Sequence, residues 1–168
     1  MPGTQQEPRT DGSQLLGLAG FVLAVAAVAV VGGLASADAG GVYARLAQPA
    51  WAPPSWLFSP VWIALYVLIA VAGWLVWRRA GWRGARGALT LFAVQLVLNA
   101  AWTPLFFGAE MRLAALVDIV LLLAVITAMI PAFARVSRTA AALLLPYWVW
   151  VAFASALTFA MWQLNPGG

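Results

Sequence analysis

From Leu15 to Ala37 the chain runs for 23 residues without a charged side chain, and no other feature restricts its fold as much. About 20 apolar residues in α-helical form cross the hydrocarbon core of a bilayer. Inside lipid, only a helix or a closed barrel satisfies its own backbone N–H and C=O groups. Four further apolar runs follow, over 56–77, 87–107, 113–134 and 139–163, with short breaks between them. Charged residues make up only 8% of the chain, against about 25% in a soluble domain. The expectation is an all-α, five-transmembrane-helix bundle: a disordered N-terminal tail over 1–14, then one domain over 15–165. A cleaved signal peptide is the rival reading of the first run, because Ala35-Ser36-Ala37 resembles a cleavage site. That run is long for the apolar region of a signal peptide, and the tail before it carries Glu7 and Asp11.

The nine basic residues are all arginine, and they fall in the breaks. Arg9, Arg78, Arg79, Arg83, Arg86, Arg135 and Arg138 share the side of the N-terminus; only Arg45 and Arg112 lie opposite. In an inner membrane the richer side faces the cytoplasm. The expected location is a bacterial-type cell membrane, inner or outer, with multiple passes. The net charge of +4 therefore reports topology, and no nucleic-acid partner is expected. The sequence has no Lys, His or Cys. Without lysine there is no Schiff base. Without His or Cys there is no ordinary haem ligation, zinc site or iron–sulfur site. No metal site and no covalent cofactor are expected.

The first long break is stiff and aromatic. Four prolines and three tryptophans fall within the fourteen residues Pro49–Trp62. Pro53-Pro54 forbids helix and enforces an extended approach. A short helix is expected near Val42–Leu46, and Arg78–Arg86 reads as a tight basic loop. A rigid loop feeding directly into a span reads as the lid of a cavity among helices, with Trp51 and Pro53 in it.

Three helical stripes could form that cavity. Gln95, Asn99 and Trp102 recur at i, i+4 and i+7 on one face of the third span. Amides in hydrocarbon need partners, so they are either interhelical glue or a polar cavity wall. Trp62, Tyr66 and Gly73 share a face of the second span; Trp150, Ala154, Leu157 and Met161 share one on the fifth. Aromatic stripes serve as packing or as faces for a flat conjugated ligand. Ala154 would leave room beside Trp150. Asp118, the one acid inside an apolar run, reads as a helix–helix anchor before a functional acid. Arg86, Phe92 and Val94 fit a loose pattern for cholesterol contact, which carries little weight.

These motifs together resemble the TspO family of tryptophan-rich sensory proteins, which includes the mitochondrial translocator protein. The resemblance runs through Leu46-x-x-Pro49-x-Trp51-x-Pro53-Pro54-x-Trp56-x-Phe58-x-Pro60-Val61-Trp62-x-x-Leu65-Tyr66. It continues through Gln95-x-x-x-Asn99-x-x-Trp102-x-Pro104-x-Phe106-Phe107-Gly108, Ala115-Leu116-Val117-Asp118 and Pro146-Tyr147-x-x-Trp150-x-x-Phe153-Ala154. It implies a five-helix bundle, usually a homodimer, whose pocket opens toward the first loop. Family pockets bind porphyrins such as protoporphyrin IX, drug-like molecules and, in some members, cholesterol. The matching positions are Trp62, Gln95, Asn99, Trp102, Trp150, Ala154 and Leu157. Some members degrade porphyrin in light through tryptophans matching Trp62 and Trp150. Thr158, Phe159 and Gln163 depart from the family's cholesterol segment, and Trp148 is an additional bulky residue on the same helix.

Three functions are then in contention. The protein binds porphyrin-type ligands as a sensor or carrier, it photo-oxidises them, or it is a regulatory partner whose pocket holds lipid. A tetrapyrrole here would be stacked on indoles without axial ligation, its polar edges set by Gln95 and Asn99 and its propionates by interfacial arginines. Gly87, Ala88, Ala100 and Ala101 make the third span a candidate homodimer face.

Overall fold

Five apolar segments long enough to cross a membrane organise the computed structural model, which describes residues 11–35 and 38–166. In chain order the helices are α1 (Asp11–Ala35), α2 (Ala39–Arg45), α3 (Phe58–Gly84), α4 (Arg86–Thr103), α5 (Arg112–Ala134), α6 (Arg138–Leu143) and α7 (Leu145–Leu164). A 3-10 turn, Ser55–Leu57, leads into α3, and a π-helical turn, Pro104–Gly108, extends α4. The described residues contain no strand. Helix α1 lies against α3 and α4, α4 against α5, and α5 against α6 and α7; α6 and α7 close the ring on α3. The protein is a multi-pass integral membrane protein with α2 outside the bundle, in the first loop.

Several boundaries differ from the sequence expectation, each for a local reason. Helix α1 begins at Asp11, so residues 11–14, expected in the disordered tail, are helical. The rest of that tail, and Ser36-Ala37 of the cleavage-like triplet, lie outside the described residues. The basic stretch Arg78–Arg86 is not a loop. Arginine is a good helix former, so α3 continues to Gly84, kinked at Gly81, whose φ of 68° suits glycine alone. The last span is broken at Leu144 rather than continuous. Pro146 supplies no N–H to the preceding turn, and Ser137 starts α6 by accepting from Ala140 N–H at 3.2 Å.

Large and small residues interlock on the Arg-rich half. Phe21 of α1 meets Phe92 edge-on at 5.4 Å and stacks on Trp82 at 6.1 Å. A Cβ on Gly73 would lie 2.7 Å from Phe92 and 2.8 Å from Phe21. Glycine there is what lets α1, α3 and α4 approach. Phe92 is thus core and faces no lipid, which removes it from the sterol-contact pattern of Arg86, Phe92 and Val94.

The first loop is tied down at several points. The Asn165 carboxamide, just after α7, accepts from Ala47 N–H and donates to Ala47 O, both at 3.0 Å. Tyr43 O–H donates to Pro53 O at 2.7 Å. Burial pushes the Tyr43 phenol up from its ordinary value, so it stays a donor through neutral pH. Trp51 meets Phe153 edge-on at 5.8 Å. Asn165→Ala removes both loop bonds, worth about 1 kcal/mol net each. Amide hydrogen exchange over 46–54 is expected to speed up about fivefold or more. Unchanged protection there would show that Asn165 does not hold the loop.

Candidate ligand cavity

A cavity of about 460 Å³ opens between α1, α3 and α4 at the end of the bundle that carries the first loop. That volume is within the usual range for small-molecule sites. Trp62, Ile63 and Tyr66 of α3 form one wall, and Trp102 and Thr103 with Phe107 form another. Ala29, Gly32 and Gly33 of α1 face them, and Tyr43 of α2, Trp56 and Phe58 border the mouth. The spacing explains the arrangement. Trp62 and Tyr66 are one turn apart, as are Ala29 and Gly33. Small side chains on α1 leave the space that indoles and phenols on α3 and α4 then line.

The aromatic groups are held by one another. Trp62 lies 5.4 Å from Tyr66 and meets Tyr147 edge-on at 6.3 Å. Trp102 stacks on Phe106 at 5.2 Å. Rings braced on two sides lose little entropy when a ligand arrives.

The candidate residues divide into groups. Trp62, Tyr66 and Trp102 line this cavity together. Gln95 and Asn99 sit behind it, buried in a hydrogen-bonded chain. Tyr66 O–H donates to Asn99 Oδ1 at 3.2 Å, Asn99 Nδ2 donates to the Tyr147 hydroxyl oxygen at 2.9 Å, and Tyr147 O–H donates to Gln95 Oε1 at 2.9 Å. Leu157 joins Tyr43, Phe106, Ala115 and Met161 in a second apolar cluster under the loop, with Trp102 and Phe153 packed on it. Ala154 is core. Trp150 borders a shallow groove of about 590 Å³ between α3 and α7, with Val61, Leu65 and Phe153. It meets Phe58 edge-on at 5.8 Å. Trp51 covers the α7 side at Phe153, Pro53 is held by the Tyr43 hydroxyl, and neither lines the cavity. The α1 wall, Tyr43 and Thr103 carried no sequence signal beyond small residues on α1 and adjacency to Trp102.

Polar atoms without partners mark where the interior is incomplete. Gln95 Nε2, Trp102 Nε1 and Trp150 Nε1 are buried donors with no hydrogen bond among the described residues. Such groups are costly, and all three belong to candidate ligand residues. Asp118 is buried and does not pair with Arg112, whose guanidinium contacts Glu110 at 3.0 Å. Trp148 faces away from the cavity, donating to Thr127 Oγ1 at 2.8 Å on α5. Phe159 is exposed beside Trp162, at 6.0 Å, and Gln163 is exposed as well, whereas Thr158 is buried; none of these three departures at the cholesterol segment lines the cavity. No cluster of metal-ligating side chains occurs among the described residues.

Comparison with known proteins gives one consistent result. The sequence profile of the TspO/MBR family matches residues 21–163. The "Tryptophan-rich protein TspO" of Chlorobaculum tepidum is 48% identical over 126 residues, 74% of this chain and 79% of that protein. The "Tryptophan-rich protein TspO" of Archaeoglobus fulgidus is 40% identical over 153 residues, covering 90% of this chain and 98% of its own length. The "Translocator protein" of Homo sapiens is 41% identical over 127 residues, 74% of this chain and 75% of that protein.

Proposed function

We propose a function from a settled premise: this chain belongs to the TspO/MBR family. It is a membrane protein that binds flat, amphiphilic conjugated molecules of the porphyrin type, with protoporphyrin IX as the reference ligand. Binding serves sensing or carriage in tetrapyrrole metabolism. The observation that carries this reading is the cavity wall of Trp62, Tyr66 and Trp102, where π-faces border an opening of small-molecule size. Aromatic faces favour flat conjugated guests. Arg45 lies on α2, whose Ala39, Gly40 and Tyr43 border the mouth, and among the described residues its ion pair is an exposed one to Asp38 at 3.6 Å. It is the cation placed to meet a propionate.

Titrating protoporphyrin IX into the protein in nanodiscs, read by tryptophan fluorescence, tests this. Saturable quenching with one site per chain is expected. Quenching that rises without saturation, as in empty nanodiscs, removes the porphyrin reading and leaves a lipid-filled regulatory protein.

A second reading, light-driven porphyrin oxidation, draws support from Trp62, whose indole borders the cavity. Trp150, the other tryptophan implicated, borders the α3–α7 groove instead. Illuminating the complex should bleach the Soret band in wild type and much less in Trp62→Phe. A Soret band stable in wild type, with ligand recovered intact, leaves binding alone.

The homodimer belongs to the same proposal, through the outer face of α4. Ala88 is buried within the protomer, so Gly87, Val94 and Val97 are the residues that face would present.

A further inference from the structure

The buried polar chain behind the cavity has a direction, and that direction is reversible. Every hydrogen bond in it points inward, from Tyr66 through Asn99 and Tyr147 to Gln95. The inner end is Gln95 Nε2, a donor with no partner among the described residues, on a residue that is 0% exposed. The outer end is the Tyr66 hydroxyl, on a residue that lines the cavity. In this direction Tyr66 spends its proton on Asn99 and offers the cavity only lone pairs.

A carboxamide has nearly the same shape with its oxygen and nitrogen exchanged. Turning over the two amides reverses every bond with little displacement. Gln95 Nε2 then donates to Tyr147, Tyr147 O–H donates to Asn99 Oδ1, and Asn99 Nδ2 donates to Tyr66. The Tyr66 proton is released toward the cavity. An orphaned N–H deep in the protein has been exchanged for an O–H at the cavity wall, where a guest can take it. The acceptor left over at Gln95 is the milder defect, because unpaired carbonyls are better tolerated than unpaired donors.

We propose that Tyr66, Asn99, Tyr147 and Gln95 form a two-state hydrogen-bond relay that makes the Tyr66 hydroxyl the cavity's recognition point for an acceptor, a carbonyl or carboxylate oxygen of the guest. The proposal rests on the cavity being the ligand site and adds what that ligand must carry. A second hydroxyl is close by. A Cβ at Gly32 would lie 3.6 Å from Thr103 Oγ1 and 4.0 Å from the Tyr66 hydroxyl. The bare glycine thus leaves a notch where both hydroxyls reach the cavity. Tyr66 touches the guest; Asn99, Tyr147 and Gln95 are positioning residues.

The test compares two porphyrins of like shape. Protoporphyrin IX carries carboxylates, and etioporphyrin carries only alkyl groups. Wild type should prefer protoporphyrin IX. Tyr66→Phe, which keeps the ring, should reduce that preference about three- to tenfold, the worth of one hydrogen bond. Gly32→Ala inserts a methyl at ordinary contact distance and covers both hydroxyls, so it should reduce the preference similarly. Gln95→Met discriminates most sharply. It removes the inner acceptor at nearly constant volume, leaving Asn99 Oδ1 as the partner of Tyr147 and fixing the chain in its outward direction. The preference for protoporphyrin IX over etioporphyrin should then rise about threefold. A preference unaltered by both Tyr66→Phe and Gly32→Ala overturns the proposal. So does a Gln95→Met variant whose preference stays at or falls below the wild-type value. If wild type binds neither porphyrin, the proposed function itself fails; if it binds both equally, the cavity reading stands and the relay does not.

Discussion

Trp62→Ala should weaken protoporphyrin IX binding about thirtyfold, as seen by fluorescence quenching of the remaining tryptophans. Trp62 borders the cavity and is braced by Tyr66 at 5.4 Å and Tyr147 at 6.3 Å. Truncating a well-braced aromatic at a binding surface typically costs about 2 kcal/mol or more, and each 1.4 kcal/mol is tenfold in affinity. Two losses combine: the π-face for stacking, and the rigidity that held it ready. Trp62→Phe keeps part of both and should cost less, about three- to tenfold. Trp150→Ala, whose indole borders the opposite groove, should change affinity by less than about threefold. Equal losses at positions 62 and 150 would mean that the ligand spans both sides of α3, and the assignment to the α1–α3–α4 cavity would be wrong.

The second large effect concerns stability. Gly73→Leu is expected to destabilise the bundle by about 3 kcal/mol or more, lowering the detergent-solubilised melting temperature by roughly 10 °C. The first added carbon already falls 2.7 Å from Phe92 and 2.8 Å from Phe21. Those rings are core, with Phe92 also stacked on Phe133 at 6.4 Å, so neither can step aside cheaply. Gly20→Leu provides the control. Gly20 is exposed and a Cβ there meets nothing within 4 Å, so the same substitution should cost less than about 1 kcal/mol. Helix propensity favours leucine over glycine at both positions, so matching losses would show that the α1–α3–α4 contact does not set the penalty.

The spans were legible because lipid imposes a simple rule: a charge-free run of sufficient length must be helix. Their ends were less so. Nothing in Arg78-Arg79-Ala80 opposes helix, and only the left-handed Gly81 marks where α3 bends. Of the site, Trp62, Tyr66 and Trp102 could be read from the i, i+4 spacing and the aromatic content of their helices. The same reasoning grouped Trp150, Ala154 and Leu157 with them. Periodicity tells which residues share a helix face, but not which neighbour that face meets. Here Trp150 turns to Phe58 and Phe153, and Leu157 to the cluster under the loop. The contribution of α1 was hidden for another reason. Gly17, Gly32 and Gly73 look alike in sequence, yet Gly17 and Gly73 accept neighbouring rings while Gly32 lines the cavity. Gln95 and Asn99 were ambiguous between glue and ligand wall. The hydrogen bonds give them the first role, and the unpaired Gln95 nitrogen keeps them connected to the second.

The most direct test of where a ligand binds uses the absence of cysteine from the chain. Gly33→Cys places a single thiol in the cavity wall, where an added Cβ meets nothing within 4 Å. Val61→Cys places one in the α3–α7 groove, a single residue from Trp62. Maleimide labelling of each is followed with and without saturating protoporphyrin IX in nanodiscs. A ligand in the cavity should slow labelling at position 33 at least tenfold and leave position 61 unaffected. Protection at 61 with position 33 still freely labelled would put the ligand in the other groove and contradict the account.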